Sequence, residues 1–408
     1  RRRWAQPENR SRRGGGHRSG AVRLRTVRAR TFPLYVGGFL GPFGGAIVAV
    51  MVPELRAAFG ASTAAVAAAI PAYLVPFAAI QLVSGTIGER LGRRQVVRAA
   101  YLAYAAASLT AAFAPTLGAF LAARAGQGIA NAFLTPLVLA ALADHTPPQR
   151  LGRAMGTFGA TQTLAVTLSP LCGGLAAAVD WRLAFLAPAA VGAVLSLAAP
   201  LPVAQRRAGS PPRLRTLFDR RIALLAGAAF AAYMGVTGMS FLVALRAGDA
   251  FGLGSEDRGL LLAAFGAAGV LAGRPGGILV DRVGRVPVAA AAATLAAAAV
   301  ALLGVADSTA AFAALWFAAG VFSALMWAAL NTLVVESAPG NRAGAASLVS
   351  AFKFAGQAAA PMAWLPLYHH APASAFAAAA LVALATATFV TPLRHGGRVR
   401  EVAGVRGS

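Results

Sequence analysis

At residues 85–94 the chain reads GTIGERLGRR, and at residues 277–285 it reads GILVDRVGR. The acidic positions of the two stretches, Glu89 and Asp281, are 192 residues apart. Each stretch is a short charged turn with glycines between two apolar runs. A turn of this kind that recurs halfway along a very apolar chain indicates an internal duplication.

A second pair of loops has the same spacing. Residues 144–152 read DHTPPQRLG, and residues 336–344 read ESAPGNRAG, so that an acid, a proline, an arginine and a glycine recur 192 residues later. One shift shared by two separate loops is hard to produce by chance. The repeat predicts two halves in the same orientation with a binding site between them.

The composition indicates a membrane protein. The 408 residues are 58% hydrophobic and only 12% charged, whereas soluble domains carry about 25% charged residues. A bilayer-spanning helix needs about 20 mainly apolar residues. An alanine-rich soluble bundle would need a polar stripe on each helix, which most of these segments lack. Apolar segments of spanning length lie near 32–54, 65–87, 96–114, 117–142, 154–179, 183–203, 221–245, 259–280, 286–306, 310–335, 345–368 and 372–392.

The predicted fold class is all-α integral membrane, with twelve transmembrane helices in two six-helix pseudo-symmetric bundles around a central cavity. Basic residues concentrate in the tails, in the linker and in alternate loops. The positive-inside rule therefore places both termini in the cytoplasm of a multi-pass protein of the cell (inner) membrane. The predicted domains are a basic disordered tail (1–30), an N-terminal bundle (31–203), a cytoplasmic linker (204–219), a C-terminal bundle (220–393) and a cytoplasmic tail (394–408).

The N-terminal tail is strongly basic. Its 30 residues include eleven arginines and one acid, and they lack the apolar core of a signal peptide. Such a segment cannot bury enough apolar surface to fold. Contact with anionic lipid is favoured over binding of nucleic acid. Cys172 is the single cysteine, which excludes an internal disulfide framework. Separately, the protein is expected to be a monomer.

From residue 31 to residue 393 the chain resembles the major facilitator superfamily of secondary transporters, and within it the twelve-helix drug or metabolite:proton antiporter branch. Residues 85–94 match its loop motif between helices two and three, G-x-x-x-[DE]-R-x-G-R-R. The second copy is looser, because Val286 follows Arg285 where the motif has arginine. Residues 124–132, RAGQGIANA, are similar to the helix-four motif R-x-x-Q-G-x-x-x-A. The resemblance implies transport and no enzymatic activity.

The resemblance gives the loop motif a role in gating. Glu89 can meet the positive end of a neighbouring helix dipole, and Arg93 can pair with Asp144 at the end of the fourth span. The family implies that such a network latches the two halves on the cytoplasmic side, whereas simple topological anchoring by basic loops is the alternative. The predicted gating residues are Gly85, Glu89, Arg90, Gly92, Arg93, Arg94, Asp144, Gly277, Asp281, Arg282, Arg285 and Glu336.

Polar residues inside the spans are the candidate substrate contacts. Arg124 lies about two turns into the fourth span, and a charge buried in a span usually faces a cavity or a partner. Gln127 and Asn131 lie on a similar face. Lys353, the single lysine of the chain, and Gln357 are the candidates on the eleventh span. Snorkelling to a membrane interface is the alternative for both charges.

The fifth span partly matches the antiporter motif G-x8-G-x3-G-P-x-x-G-G. Ala165 and Ser169 stand where the motif has two glycines. Small residues here allow tight packing against a helix of the second half, and the family associates the motif with exporters. Efflux is therefore favoured over inward substrate:proton symport. The predicted packing residues are Gly156, Ser169, Pro170, Gly173 and Gly174.

The charges predict the substrate only by class. No acid lies near a bilayer centre and both candidate cavity charges are positive, so a small anionic or neutral molecule is favoured over a cation. Protons are the expected coupling ion, through Asp144, Glu54, Glu336 or the substrate itself. No nucleotide motif and no metal-ligand spacing occur, so neither a cofactor nor a metal is expected. A non-transporting receptor or lipid-handling protein on the same fold is the alternative function.

Overall fold

A computed structural model describes residues 16–62, 65–66, 68–198, 219–253 and 255–395. These residues form α-helices joined by short turns. The helices of the first half are α1 (Gly16–Ala46), α2 (Val52–Phe59), α3 (Ala69–Leu91), α4 (Arg93–Ala112), α5 (Leu117–Asp144), α6 (Leu151–Val179) and α7 (Leu183–Ala198). Those of the second half are α8 (Arg220–Gly235), α9 (Ser240–Phe251), α10 (Ser255–Val283), α11 (Arg285–Leu303), α12 (Thr309–Ser337), α13 (Arg342–His370) and α14 (Pro372–Val390).

The helices follow the twelve predicted spans. The helices α1 and α2 share the first span, α8 and α9 share the seventh, and each other span has one helix. Within the described ranges, eight helical stretches are long and apolar enough to cross a bilayer by length and composition. The other four predicted spans are not among these stretches. A short 3-10 turn at Ile47–Val50 interrupts the first, α4 begins with two arginines, α7 has 16 described residues, and α13 carries Arg342 and Lys353.

The duplication predicted from the loops is also present in the backbone. Gly92 and Gly284 separate α3 from α4 and α10 from α11, with φ of +99° and +110°. Residues other than glycine are strained in that region. Thr116 and Ser308 cap the helices α5 and α12 in the same way, each accepting a hydrogen bond from the N–H three residues on. Each of these pairs is separated by 192 residues.

The two halves meet differently at the two ends of the molecule. We call the end that carries residues 85–94 and 277–285 the motif end. There, one apolar cluster combines buried residues of both halves. At the opposite end each half has an apolar cluster of its own, one within residues 47–185 and one within residues 236–383. The halves are therefore packed together at the motif end.

The first helix corrects one expectation. Residues 16–30 were predicted to be disordered, but α1 begins at Gly16. Arginine and alanine are good helix formers, and no proline occurs between Gly16 and Pro33, so the helix of the first span continues backwards into the basic segment. Residues 1–15, most of the predicted linker and residues 396–408 lie outside the described residues.

Candidate functional site

At the motif end, Arg93 binds two carboxylates. Its guanidinium donates to Glu89 and, at 2.5 Å, to Asp144. Asp144 also accepts a hydrogen bond from Arg342 at the start of α13. Since Arg93 belongs to the first half and Arg342 to the second, Asp144 joins the halves. The helix dipole disfavours a carboxylate at the C-terminus of α5, and the two arginines offset that effect.

Asp281 makes a second connection between the halves. It lies near the end of α10, and it accepts hydrogen bonds from the backbone N–H groups of Gly152 (2.7 Å) and Arg153 (2.9 Å) at the start of α6. The first N–H groups of a helix have no partner within the helix, and the dipole favours a negative charge there. A carboxylate of the second half therefore caps a helix of the first half.

Arg285 occupies the place in the second half that Arg93 has in the first. It donates to Glu336 at 2.7 Å and to the carbonyl oxygen of Pro148 at 3.2 Å. The ion pair with Glu336 lies within the second half, and the contact with Pro148 crosses to the first. Three polar connections between the halves are thus built from predicted gating residues.

The two copies of the motif differ in their contacts, which corrects the expectation for Glu89. Glu89 was predicted to meet the end of a neighbouring helix, but its partner is Arg93. At the corresponding place in the second half, the side chain of Asn341 accepts from the N–H of Gly344 at 3.1 Å. Asn341 also donates to the Thr86 hydroxyl at 3.0 Å. The amide fills the capping position that Glu89 was expected to take.

Close contacts between α3 and α13 complete the closure. Gly85 lies against the backbone of Ala343, where a Cβ atom would collide with it. The N–H of Gly85 donates to the hydroxyl of Ser347 at 3.3 Å, and the hydroxyls of Ser84 and Ser347 lie 3.2 Å apart. A glycine at this position lets the two backbones approach as closely as they do.

The helices α6 and α10 cross along a line of small residues. A Cβ on Gly273 would lie 2.6 Å from the Cβ of Ala160, and one on Gly269 would lie 3.1 Å from Thr163. Gly277 packs against the backbone of Gly152. Such small residues permit helix–helix contact through van der Waals packing. The second half contributes glycines at a spacing of three to four residues to this line.

Only part of the predicted fifth-span motif contributes to that crossing. Gly156 packs against the backbone of Gly273 in α10. Ser169 donates instead to the carbonyl oxygen of Phe43 within the first half, at 2.6 Å. Pro170 and Gly174 are exposed, and no atom lies within 4 Å of a Cβ built on Gly174. Gly173 is buried.

The remaining predicted gating residues lie on the surface or in a turn at the motif end. Arg90, Arg94 and Arg282 are exposed at the motif end. Gly92 forms the turn between α3 and α4. The exposed arginines thus add positive charge to this surface, which agrees with the anchoring alternative for these positions.

Arg124 is completely buried inside the first half. Its guanidinium donates to the carbonyl oxygens of Gly44 (2.9 Å) and Gly45 (3.4 Å), and it lies 4.6 Å from the ring centroid of Tyr73. These carbonyls belong to the last turn of α1, where backbone acceptors lack partners within the helix and the dipole is negative. Arg124 therefore caps α1 in this conformation. The prediction that Arg124 faces a cavity would require it to line an open path, and here it does not.

The two polar residues after Arg124 on α5 are also buried. Gln127 accepts from Arg124 at 2.7 Å and donates to the hydroxyl of Ser108 at 2.7 Å. Asn131 is 4% exposed and accepts a long hydrogen bond of 3.4 Å from Thr135. The structure brings Arg124 and Gln127 into one hydrogen-bonded cluster, enclosed by the first half.

Lys353 and Gln357 lie on α13 in a different setting. Lys353 is half-buried and its ammonium faces the rings of Tyr233, Trp327 and Phe354. Gln357, one turn further along, is exposed. The two predicted groups of cavity residues, on α5 and on α13, are not brought together by direct contacts among the described residues.

Several residues at these sites were not singled out from the sequence. Arg342 was visible as the repeat partner of Arg150, but its ion pair depends on the approach of α13 to α5. Gln81 is completely buried on α3, and neither its amide nitrogen nor its amide oxygen has a hydrogen-bond partner. Arg274 is exposed in the middle of α10, close enough to Tyr35 for an electrostatic interaction. A search for every polar residue inside a span would have found Gln81 and Arg274.

Solved structures share this architecture. The human organic anion transporter MFSD10 (TETRAN) is 18% identical, and the match covers 89% of this chain and 99% of that chain with a TM-score of 0.69. The proton:xylose symporter XylE, solved with 6-bromo-6-deoxy-D-glucose, is 14% identical, with coverages of 90% and 95% and a TM-score of 0.72. These similarities confirm the predicted all-helical fold with two bundles.

Curated relatives match part of the chain. A multidrug resistance protein B homolog of Mycobacterium tuberculosis is 33% identical over 147 residues, which is 36% of this chain and 27% of that protein. The puromycin resistance protein pur8 of Streptomyces alboniger is 31% identical over 172 residues, 42% of this chain and 34% of that protein. The tetracenomycin C resistance and export protein of Streptomyces glaucescens is 27% identical over 216 residues, 52% of this chain and 40% of that protein.

The matches to these relatives thus span between about a quarter and two fifths of their own length. The family match is broader, because the description Major Facilitator Superfamily fits residues 34–224 and again residues 225–405. The two matches coincide with the two halves of the fold and with the 192-residue repeat. The chain therefore belongs to the Major Facilitator Superfamily.

Proposed function

We propose that the chain is a secondary transporter that exports a small organic molecule by alternating access. The observation that carries the proposal is the difference between the two ends. At the motif end one apolar cluster and several polar contacts join the halves, whereas at the opposite end each half has its own cluster. Alternating access requires two halves that close around a site at one end and part at the other.

The motif end is cytoplasmic in this proposal. The basic loops of the sequence concentrate at that end, including the exposed Arg90, Arg94 and Arg282. Cytoplasmic loops carry an excess of arginine and lysine. The described conformation is then closed towards the cytoplasm. Membership of a superfamily of transporters also agrees with the prediction that the chain is not an enzyme.

The contacts at the motif end suit a latch that opens and closes. The side chain of Asp144 is 38% exposed, and that of Arg342 is 25% exposed. Ion pairs with this much solvent access contribute about 0–1 kcal/mol each. Substrate binding elsewhere can supply the free energy to break such contacts.

Export is the favoured direction. The relatives named for puromycin resistance and for tetracenomycin C export support it, as does the partial antiporter motif of the fifth span. Inward symport is the second candidate, and the similarity to XylE bears on the fold alone. Inside-out vesicles discriminate between the two, since an exporter accumulates its substrate in them and an importer does not.

Protons are the proposed coupling ion, and the candidate carriers are Asp144, Glu54, Glu336 and the substrate itself. Asp144 is the acid among them that links the halves, because it accepts hydrogen bonds from both Arg93 and Arg342. If Asp144 is the carrier, Asp144→Asn transports substrate down its own gradient but not against it. Transport against the gradient by Asp144→Asn excludes Asp144 as the carrier.

The experiment that tests the proposal is a resistance screen in a host that lacks its own exporters. The panel contains small anionic and neutral compounds together with puromycin and tetracenomycin C. Resistance that disappears when a protonophore collapses the proton gradient supports proton-coupled export. Unchanged susceptibility across the panel, with the protein present in the membrane, contradicts export of these classes.

A further inference from the structure

Lys353 lies in an aromatic cage. Its ammonium nitrogen is 4.5 Å from the ring centroid of Phe354, 5.0 Å from that of Tyr233 and 5.5 Å from that of Trp327. The rings come from α13, α8 and α12, and those of Tyr233 and Trp327 meet edge to face at 4.9 Å. Several ring faces around one cation hold it by cation–π attraction.

The ammonium has no anionic partner in the chain. Among the residues that the structure describes, Lys353 forms neither an ion pair nor a hydrogen bond to protein, although its side chain is half-buried. A lysine ammonium has three N–H donors. The rings offer attraction but no net negative charge, so the donors and the positive charge remain available to a ligand.

The cage is next to the contact between the halves. Phe354 meets Phe77 of α3 edge to face, with ring centroids 5.3 Å apart. Gln81 lies one turn after Phe77 on α3, and its side-chain amide is buried without a hydrogen-bond partner. The indole Nε1 of Trp327, on α12, is also buried without a partner. Unpaired buried polar groups are unfavourable, and a ligand that pairs with them is correspondingly favoured.

The geometry points to Lys353 and its cage as a binding site for an aromatic organic anion. The ammonium pairs with one carboxylate-type group of the ligand. The rings of Tyr233, Trp327 and Phe354, each partly exposed, contact the planar body of the ligand. This inference rests on the proposed transport function, and it narrows the substrate class from anionic or neutral molecules to aromatic acids.

The same cage would have the opposite preference without its lysine. Aromatic cages recognise ligand cations such as quaternary ammonium groups. Here the single lysine of the chain already fills the cage, which excludes a second cation by repulsion and attracts an anion. Removal of the charge at residue 353 therefore has two consequences: anion binding is lost, and a lipophilic cation can enter.

The test compares two dyes with the same three-ring body and opposite charge, fluorescein and rhodamine 6G. Equilibrium dialysis against the purified full chain in lipid nanodiscs measures the binding of each. We expect the wild type to bind fluorescein at least about tenfold more tightly than rhodamine 6G. Lys353→Met keeps the length of the side chain without its charge, and we expect it to reverse that order.

Two variants serve as controls. Lys353→Arg keeps the charge and the cation–π contacts, and it should keep the preference for fluorescein. Phe352→Leu alters the neighbouring residue, which is 43% exposed and faces a groove between α8, α13 and α14, and it should leave both affinities unchanged. Each variant must elute as a single species in size-exclusion chromatography with the thermal midpoint of the wild type.

Equal binding of the two dyes by the wild type overturns the inference, as does an absence of measurable fluorescein binding or an unchanged order in Lys353→Met. Flux of both dyes in proteoliposomes is measured in parallel. Charge-selective binding without flux supports the cage and contradicts the transport function. Flux without charge preference supports transport and contradicts the cage.

Discussion

Asp144 at the end of α5 accepts hydrogen bonds from both Arg93 and Arg342, so one carboxylate holds a cation from each half of the molecule. Its counterpart in the second half, Glu336, accepts a hydrogen bond from Arg285, which belongs to the same half. The two halves share a sequence repeat, but of these two acids only Asp144 has an ion pair with the other half. Closure at the motif end therefore depends more on Asp144 than on Glu336.

Replacing Arg342 tests this dependence. Arg342→Gln removes the cation that the second half offers to Asp144 and leaves Arg93 in place. Exposed ion pairs are worth about 0.2–1 kcal/mol, so the ratio of open to closed molecules at the motif end should rise by up to about fivefold. This ratio is measured from the distribution of distances between two spin labels, placed at the exposed positions Gln95 and Val283 in a Cys172→Ser background.

The matched control for this variant is Arg94→Gln. Arg94 is exposed at the same end and carries the same charge. It should leave the distance distribution as it is in the labelled wild-type background. Equal shifts in Arg342→Gln and Arg94→Gln would mean that net charge, and not the contact with Asp144, controls closure.

The unequal contacts of the two motif copies lead to a second prediction. Asp281 caps α6 across the halves, whereas Glu89 contacts Arg93 within its own half. Loss of a helix cap costs about 0.5–2 kcal/mol. Asp281→Ala should therefore open the motif end more than Glu89→Ala does, and it should slow transport without changing substrate affinity.

Single-turnover exchange in proteoliposomes measures the rate, and equilibrium dialysis measures the affinity. Asp281→Asn separates charge from hydrogen bonding, because the amide oxygen still accepts one N–H of α6. Its rate should lie between those of the wild type and Asp281→Ala. A larger effect of Glu89→Ala would show that the first copy is the main latch.

Much of the fold follows from local patterns in the sequence. The 192-residue repeat predicts the matching turns at Gly92 and Gly284, because the conformation with positive φ needs glycine wherever it occurs. Span lengths follow from the thickness of the bilayer. The start of α1 was missed, since the basic composition of residues 16–30 suggested disorder and the helix propensity of arginine and alanine was given too little weight.

The contacts of the candidate site are harder to predict from local sequence patterns. The spacing of Arg124, Gln127 and Asn131 places them on one helix face, but the periodicity of a helix does not tell whether that face meets a cavity or a neighbouring helix. The neighbour here is the end of α1, which the sequence does not mark. In the cage around Lys353, Tyr233 is 94 residues before Trp327 and 121 residues before Phe354. Only the packing of α8, α12 and α13 brings these rings together.

Steric blocking of the crossing between α6 and α10 gives a third prediction. Gly277 lies against the backbone of Gly152, so a leucine at position 277 has no space while the motif end is closed. Overpacking of this kind costs about 1–3 kcal/mol. Gly277→Leu should hold the motif end open and abolish net transport, whereas Gly174→Leu, at an exposed position of α6, should transport normally.

Accessibility of cysteines placed at the motif end to a membrane-impermeant reagent measures this effect. Gly277→Leu should increase labelling of a cysteine at position 347 in inside-out vesicles, because that position is buried while the motif end is closed, and Gly174→Leu should not. Normal transport by Gly277→Leu would show that α6 and α10 separate less during the cycle, or pack less closely, than the contact at Gly152 indicates.

The burial of Arg124 gives the last prediction, which separates a structural role from a role in binding. In Arg124→Met the carbonyls of Gly44 and Gly45 and the amide of Gln127 each lose a donor. An unsatisfied buried polar group costs about 1–3 kcal/mol, so the thermal midpoint in detergent should fall by several degrees. Arg124→Lys should rescue little, because a single ammonium cannot reproduce the planar fork of the guanidinium.

Arg182→Met is the control, because Arg182 is an arginine of the same half that is 45% exposed beside Trp181. Changes at exposed positions stay within about 0.5 kcal/mol, so its thermal midpoint should equal that of the wild type. If Arg124→Met kept its midpoint but lost ligand binding, Arg124 would be a cavity residue in another conformation of the cycle. A lower midpoint with ligand affinity intact in the folded fraction would instead make the capping of α1 the reason that an arginine stands at this position.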